Sequence, residues 1–176
     1  MLVFKKMGQR ISDHAMNEIT HICLDPDIKW FSPSDVIYEK YVNHSDDTIY
    51  FLKSKRIQEI LKGQMTSEHF YIPNALVSKT PKGCMQPPHK DKSRDYSFYI
   101  PIYPNMYDYS PMTFYHNNEL HHIDNLDPGS VYLVNHKVMH SAFNFTDYDR
   151  FNIQITILDK WHLIKCLKEE DALPLI

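Results

Sequence analysis

Glycine is scarce, with four in 176 residues, at positions 8, 63, 83 and 129. So dispersed a set cannot form a glycine-rich loop that cradles phosphate at a helix start, which excludes the common nucleotide-binding designs. No G-x-S-x-G stretch is present, so a serine nucleophile elbow is excluded as well. Basic excess is missing: 19 Lys+Arg stand against 22 Asp+Glu, a net charge of -3, and nothing draws a nucleic acid. Cysteine is limited to Cys23, Cys84 and Cys166, far apart and in no CxxC pair. That pattern suits reduced thiols in a cytoplasmic protein rather than a disulfide framework. Apolar runs fall well short of the roughly 20 residues that cross a bilayer. The start "MLVFKKMGQR" has four apolar residues before its lysines, too few for a signal peptide, so no membrane partner is expected.

What the chain does have is an ordinary globular balance, 43% hydrophobic and 23% charged. At this length one domain, residues 1–176, is the simplest organisation. Nothing in the composition fixes an oligomeric state. Eight aromatics fall between Tyr96 and Tyr115, which predicts a β-rich core, because aromatics favour strands. A groove that stacks nucleobases would interleave Arg or Lys among them, and Phe98 to Tyr115 contains neither.

Residues 1–73 read as a helix-containing part that packs on the strands of the later chain. Ser12 is a natural N-cap for a helix over Asp13–Leu24, ended by Asp25-Pro26, with Ala15, Met16, Ile19, Ile22 and Cys23 on one face. A second helix is expected over Leu52–Leu61, with Ile57, Ile60 and Leu61 inward and Gly63 as its stop. Over residues 74–158 the texture changes to short strands separated by Pro, Gly, Asn and Asp: "ALVSK", "YSFYIPIY", "MTFYH", "HHID", "SVYLVN", "KVMHSAFNF" and "RFNIQITIL". Such spacing predicts an antiparallel sandwich or barrel. Residues 159–176 remain as a C-terminal extension. In the last strand Phe151, Ile153, Ile155 and Ile157 alternate with Arg150, Asn152, Gln154 and Thr156. The apolar face needs the helices as a cover, and the polar face meets solvent or a cavity.

Three His-x-Asp pairs could each set two metal-ligand types on one side of a strand: His44/Asp46, His89/Asp91 and His122/Asp124. The motif alone decides nothing, since 11 histidines and 22 acidic residues in such a chain yield one or two by chance. Spacing separates them. His140, in the strand "KVMHSAF", is the best third ligand, and Asp91 to His140 leaves room for about four short strands. That is enough to return the chain to its starting edge. Asp124 lies too near His140 for this, and the path from Asp46 includes a whole helix. Arg150 follows ten residues after His140. In a flat hairpin it would sit roughly 16 Å from His140 along the ladder. In a double-sheet jelly roll, where consecutive strands cross to the facing sheet about 10 Å away, it would point back towards an ion. That gap fits a short dicarboxylate, one end chelating the metal and the other paired with the guanidinium.

The ordered set His89-x-Asp91, His140, Arg150 resembles the iron(II)/2-oxoglutarate-dependent oxygenases, and "GSVYLVNHKVMHSAFNFTDYDRFNIQITI" (Gly129–Ile157) is its most specific part. This stretch is similar to the closing strands of aspartyl/asparaginyl β-hydroxylase-like and prolyl-hydroxylase-like members. The likeness spans about Ala75–Leu158. It implies a mostly β fold with N-terminal helices, built on a double-stranded β-helix (a jelly-roll, cupin-like barrel). It implies Fe(II) held by His89, Asp91 and His140, and 2-oxoglutarate as cosubstrate with its distal carboxylate on Arg150. Asn152 and Tyr99 would assist, and Arg94 is a weaker pocket candidate. The implied reaction uses dioxygen to hydroxylate an amino-acid side chain, a peptide or protein, or another small molecule, releasing succinate and carbon dioxide. Two histidines and one carboxylate on one face of an octahedron fit that chemistry independently, because they leave three positions open.

His136 is the best rival ligand, sharing parity with His140. The adjacent His121 and His122 point to opposite faces and cannot both reach one ion. His14, His21, His44, His69, His116 and His162 read as surface or loop residues. Two other classes remain open: a non-catalytic cupin-like module that binds a metal or ligand, and a hydrolase or isomerase using the same triad with another divalent ion.

Overall fold

Period-two alternation dominates the chain beyond residue 74, and the strands it predicts are formed. The structure, a computed structural model, describes residues 4–32, 48–65, 72–91, 94–103, 112–123, 126–157 and 163–164. His44, Asp46, His69, Asp124, His162 and Cys166 lie outside the described residues, as does the expected C-terminal extension apart from 163–164. In chain order the elements are β1 (Phe4–Arg10), α1 (Asp13–Leu24), β2 (Tyr50–Leu52), α2 (Lys55–Gln64) and a 3-10 turn (Ile72–Asn74). Then come β3 (Ala75–Thr80), β4 (Met85–His89), β5 (Tyr96–Tyr103), β6 (Met112–His116), β7 (Glu119–Ile123), β8 (Ser130–Asn135), β9 (Met139–Phe143) and β10 (Arg150–Thr156).

The strands make two antiparallel sheets, one of order β1-β8-β5-β10-β3-β2 and one of order β4-β9-β6-β7. They form a jelly roll, as expected, but as two open sheets rather than a closed barrel. The alternation of β10 sets the layers. Ile153 and Ile155 are fully buried on the outer face of the six-stranded sheet, in one apolar cluster with Ala15, Met16 and Ile19 of α1 and Ile57 and Leu61 of α2. Burial of this kind contributes roughly 1.5–3 kcal/mol per large aliphatic side chain. The helices therefore cover the face that the sequence left apolar.

Helix α1 has the bounds its cap predicts, the Ser12 hydroxyl accepting from the Ala15 amide at 3.4 Å. Helix α2 departs from expectation. It starts at Lys55, capped by the Ser54 hydroxyl on the Ile57 amide, while Tyr50–Leu52 pairs with β3 as an edge strand. Gly63 lies inside the last turn and Met65 ends the helix. The N-terminal part also carries β1, paired with β8, so it contributes two strands to the six-stranded sheet besides its helices. The Asp127-Pro128-Gly129 turn forms, with Gly129 at φ 80, and a Cβ there would stand 2.9 Å from the Ile11 carbonyl oxygen.

Between the sheets the space divides into two halves. One is an apolar plug in which Phe4, Phe114, Tyr132, Val134 and Leu126 pack together. The other is lined by buried polar groups, among them Ser78, Thr80, Ser97, His136, His140, Arg150 and Asn152.

Candidate functional site

The chain enters the polar half through β4, an edge strand that ends Pro87-Pro88-His89. Proline has no N–H for the ladder, and the register with β9 shifts between Gln86 and His89. Past that irregularity His89 pairs directly with His140 of β9, their ring centroids 4.3 Å apart. Asp91 comes two residues later, its amide held by the His136 carbonyl at 3.1 Å.

Backbone carbonyls fix both imidazoles. His89 Nδ1 lies 2.7 Å from the Pro87 oxygen and His140 Nδ1 2.9 Å from the Val138 oxygen. A carbonyl only accepts, so each Nδ1 carries the hydrogen and each Nε2 presents a lone pair. Asp91 Oδ1 stands 3.5 Å from His89 Nε2 and 3.9 Å from His140 Nε2. Ligands about 2.1 Å from one ion and at right angles are roughly 3.0 Å apart, so a contraction of under 1 Å brings Asp91 Oδ1 to that spacing from each imidazole. One ligand atom from each of the three residues lies within 4.8 Å of the others. Burial, then the neighbouring His89, pushes His140 down to about 4, so its ring is neutral, as a metal ligand must be. Burial would raise the Asp91 carboxyl, but Arg94, the His89 hydrogen bond, His136 and His140 outweigh it and hold the group ionised well below the usual carboxylate range.

Facing this cluster from the other sheet is Arg150. The chain crosses between sheets from β9 to β10, as a jelly roll requires. The Arg150 guanidinium spans the gap, donating to the Phe143 carbonyl of β9 at 2.5 Å and to Thr80 Oγ1 of β3 at 3.3 Å. Tyr99 stands close enough for each to perturb the other. Burial raises the Tyr99 phenol and lowers the Arg150 guanidinium, and their mutual attraction opposes both shifts. The Tyr99 hydroxyl is buried without a hydrogen-bond partner among the described residues. A buried cation and an unsatisfied buried hydroxyl are both groups suited to receive a carboxylate. Asn152 shares the face of Arg150 but is engaged by protein: its Oδ1 accepts from Ser78 Oγ at 2.7 Å and from Gln154 Nε2 at 3.3 Å.

Arg94 donates from Nε to Asp91 Oδ2 at 2.5 Å and from Nη1 to Gln154 Oε1. His136 is buried beside the same carboxylate, Nδ1 3.2 Å from Asp91 Oδ2. His122 bonds Thr113 Oγ1 at 2.9 Å, away from this cluster. Sequence reasoning assigns no role to Thr80, Ser97 or Gln154. Gln154 is visible in principle, since it has the parity of Arg150, whereas Thr80 and Ser97 carry no signal without the sheet register.

No protein-family model and no curated protein sequence matches the chain. Among solved structures it is similar to a prolyl-4-hydroxylase of Pseudomonas putida, with TM-score 0.61 and 10% identity over 90% of this chain and 94% of that one. It is similar to a prolyl hydroxylase of Trichoplax adhaerens in complex with a hypoxia inducible factor peptide fragment, with TM-score 0.61 and 13% identity over 92% and 86%. A third is HygX of Streptomyces hygroscopicus with nickel, 2-oxoglutarate and hygromycin B bound, with TM-score 0.60 and 8% identity over 88% and 82%. The chain thus has the fold of 2-oxoglutarate-Fe(II) oxygenases, which bears out the fold implied by the resemblance.

Proposed function

We propose that the chain is an iron(II)- and 2-oxoglutarate-dependent oxygenase that hydroxylates an amino-acid side chain, free or in a peptide, or another small molecule. The observation that carries this reading is the pairing of two sites across one gap. Two Nε2 atoms and a carboxylate converge beside one sheet, while the buried Arg150 and Tyr99 lie on β10 and β5 of the other. His89, Asp91 and His140 would hold the iron, leaving three positions for a chelating cosubstrate and dioxygen. Iron bound there supplies the redox chemistry that couples reduction of dioxygen to decarboxylation of 2-oxoglutarate and oxygenation of a C–H bond, giving succinate, carbon dioxide and an alcohol.

The chain's own groups do the positioning. The Pro87 and Val138 carbonyls hold the imidazole tautomers, and Arg150 and Tyr99 bind and orient the distal carboxylate of 2-oxoglutarate. Asn152 helps indirectly, by fixing Gln154. The apolar plug beside Tyr99 keeps water from that carboxylate. The peptide bound to one structural neighbour and the hygromycin B bound to another support peptides and small molecules as the classes to test.

The test is succinate release from 2-oxoglutarate by iron-loaded protein, in air, against a panel of amino acids and peptides, with Asp91→Ala as control. Turnover by the wild type and none by the variant is expected. Wild-type protein that binds iron and 2-oxoglutarate yet releases no succinate, with or without candidate substrates, would favour a non-catalytic binding module.

A further inference from the structure

We propose that Arg94 is a positioning residue for Asp91, occupying its Oδ2 so that Oδ1 alone is presented to the metal, with His136 packed against the same oxygen. This rests on the reading of His89, Asp91 and His140 as a metal centre. The two carboxylate oxygens have different surroundings. Oδ1 faces the Nε2 atoms of His89 and His140. Oδ2 receives Arg94 Nε at 2.5 Å and lies 3.2 Å from His136 Nδ1. His136 Nδ1 is also 3.5 Å from His140 Nε2, and the hydrogen bond of that nitrogen runs between the two imidazoles. His136 Nε2 is then open to the Ser97 hydroxyl, 2.6 Å away.

Both neighbours of Oδ2 are fixed from behind. Arg94 is held by Gln154 Oε1, and Gln154 Nε2 bonds Ser78 Oγ at 3.2 Å and Asn152 Oδ1 at 3.3 Å. His136 is held by Ser97 and by its amide on the Asp95 carbonyl at 2.8 Å. Ser97 and Gln154 belong to β5 and β10 of the six-stranded sheet, whereas Asp91 lies just past β4 of the other. The carboxylate is thus oriented by the sheet facing the one that carries it.

The consequence concerns how many positions the metal keeps. A carboxylate with both oxygens available can chelate, which fills one of the three positions that a bidentate cosubstrate and dioxygen require. The charged Arg94 donor on Oδ2 disfavours that mode. Simple electrostatics makes the opposite prediction: Arg94 repels a dication, so its loss would only tighten metal binding.

The experiment uses Co(II)-loaded protein, without turnover. Its readouts are Co(II) affinity, the Co(II) absorption spectrum before any 2-oxoglutarate, and 2-oxoglutarate affinity by calorimetry. Loss of an orienting partner behind a metal ligand typically costs 10–100-fold. Arg94→Ala should therefore change the Co(II) spectrum, weaken Co(II) binding about 10- to 100-fold and weaken 2-oxoglutarate binding in turn. Arg94→Lys, which keeps the charge but not the planar guanidinium, should recover only part of the loss. Arg94 is a fifth exposed, so its replacement is tolerated. An unchanged spectrum and unchanged 2-oxoglutarate affinity in Arg94→Ala, with or without tighter Co(II) binding, overturns the positioning role. Wild-type protein that takes up no Co(II) overturns the metal-centre reading itself.

Discussion

Tyr99→Phe should move two measurable quantities in opposite directions. The Tyr99 hydroxyl is buried with no hydrogen-bond partner among the described residues, while its ring packs with Phe114 and Tyr132. Leaving a buried hydroxyl unpaired costs about 1–3 kcal/mol. Phenylalanine keeps the ring and removes the hydroxyl, so the protein without ligands should gain stability, by about 1–2 kcal/mol. In a chain of this size each kcal/mol raises the thermal midpoint by about 2–4 °C. If the hydroxyl is there to meet the distal carboxylate of 2-oxoglutarate beside Arg150, the same substitution removes a bond to a charged group. Such bonds contribute about 1.5–3 kcal/mol, which is roughly a 10- to 150-fold loss of affinity. Scanning calorimetry of the apoprotein and titration of 2-oxoglutarate into Co(II)-loaded protein read the two effects separately. A variant whose midpoint falls, or whose 2-oxoglutarate affinity is unchanged, would refute the reasoning.

Arg150→Ala should weaken 2-oxoglutarate binding about 30- to 5,000-fold, the effect of losing one partner of a buried charge pair, and Arg150→Lys should restore only part of it. Succinate formation against 2-oxoglutarate concentration reads both, and an unchanged requirement in Arg150→Ala would remove this residue from the site. Asp91→Ala should abolish turnover at every 2-oxoglutarate concentration, with Co(II) uptake lost in parallel; retained Co(II) affinity would contradict the assignment. Ile153→Ala should cost about 2–5 kcal/mol in a urea titration, since Ile153 is fully buried between β10 and the helices. Burial pushes the Cys23 thiol up to about 12, so at about pH 8 alkylation should label the half-buried Cys84 well before Cys23, as read by peptide mass mapping. Equal rates would contradict the buried position of α1.

Legibility in the sequence depends on the range of the physics involved. Capping and alternation are local, so Ser12 locates α1 and the isoleucines of β10 locate the covered face. Where local signals compete, tertiary pairing decides. Leu52 has the apolar character of a helix position, but the free edge of β3 takes Tyr50–Leu52 as a strand, and Ser54 then starts α2 three residues later than the hydrophobic pattern suggests. Strand β1 is short of apolar residues because it is an edge, with Lys5, Lys6 and Arg10 partly or fully exposed. Charged edges are common because they resist stray pairing. The same charge hides them from a search for hydrophobic alternation.

The candidate site is legible as far as its residues lie on strands. His140 and Arg150 can be placed by counting, because β9 and β10 are regular and lie in facing sheets. Parity places His136 near His140, and the fold brings it there by another route. Four residues separate it from His140, which on one continuous strand would put both on one face and make it a rival ligand. The segment 136–138 is instead the turn that carries the chain from β8 in one sheet to β9 in the other, so the parity resets there. His136 nevertheless ends beside the candidate ligands, its Nδ1 3.5 Å from His140 Nε2 and 3.2 Å from Asp91 Oδ2. Sheet-to-sheet crossings are where a jelly roll brings residues of distant register together. They are also where a strand-by-strand reading loses its frame, so the groups that orient a ligand are harder to find in a sequence than the ligand itself.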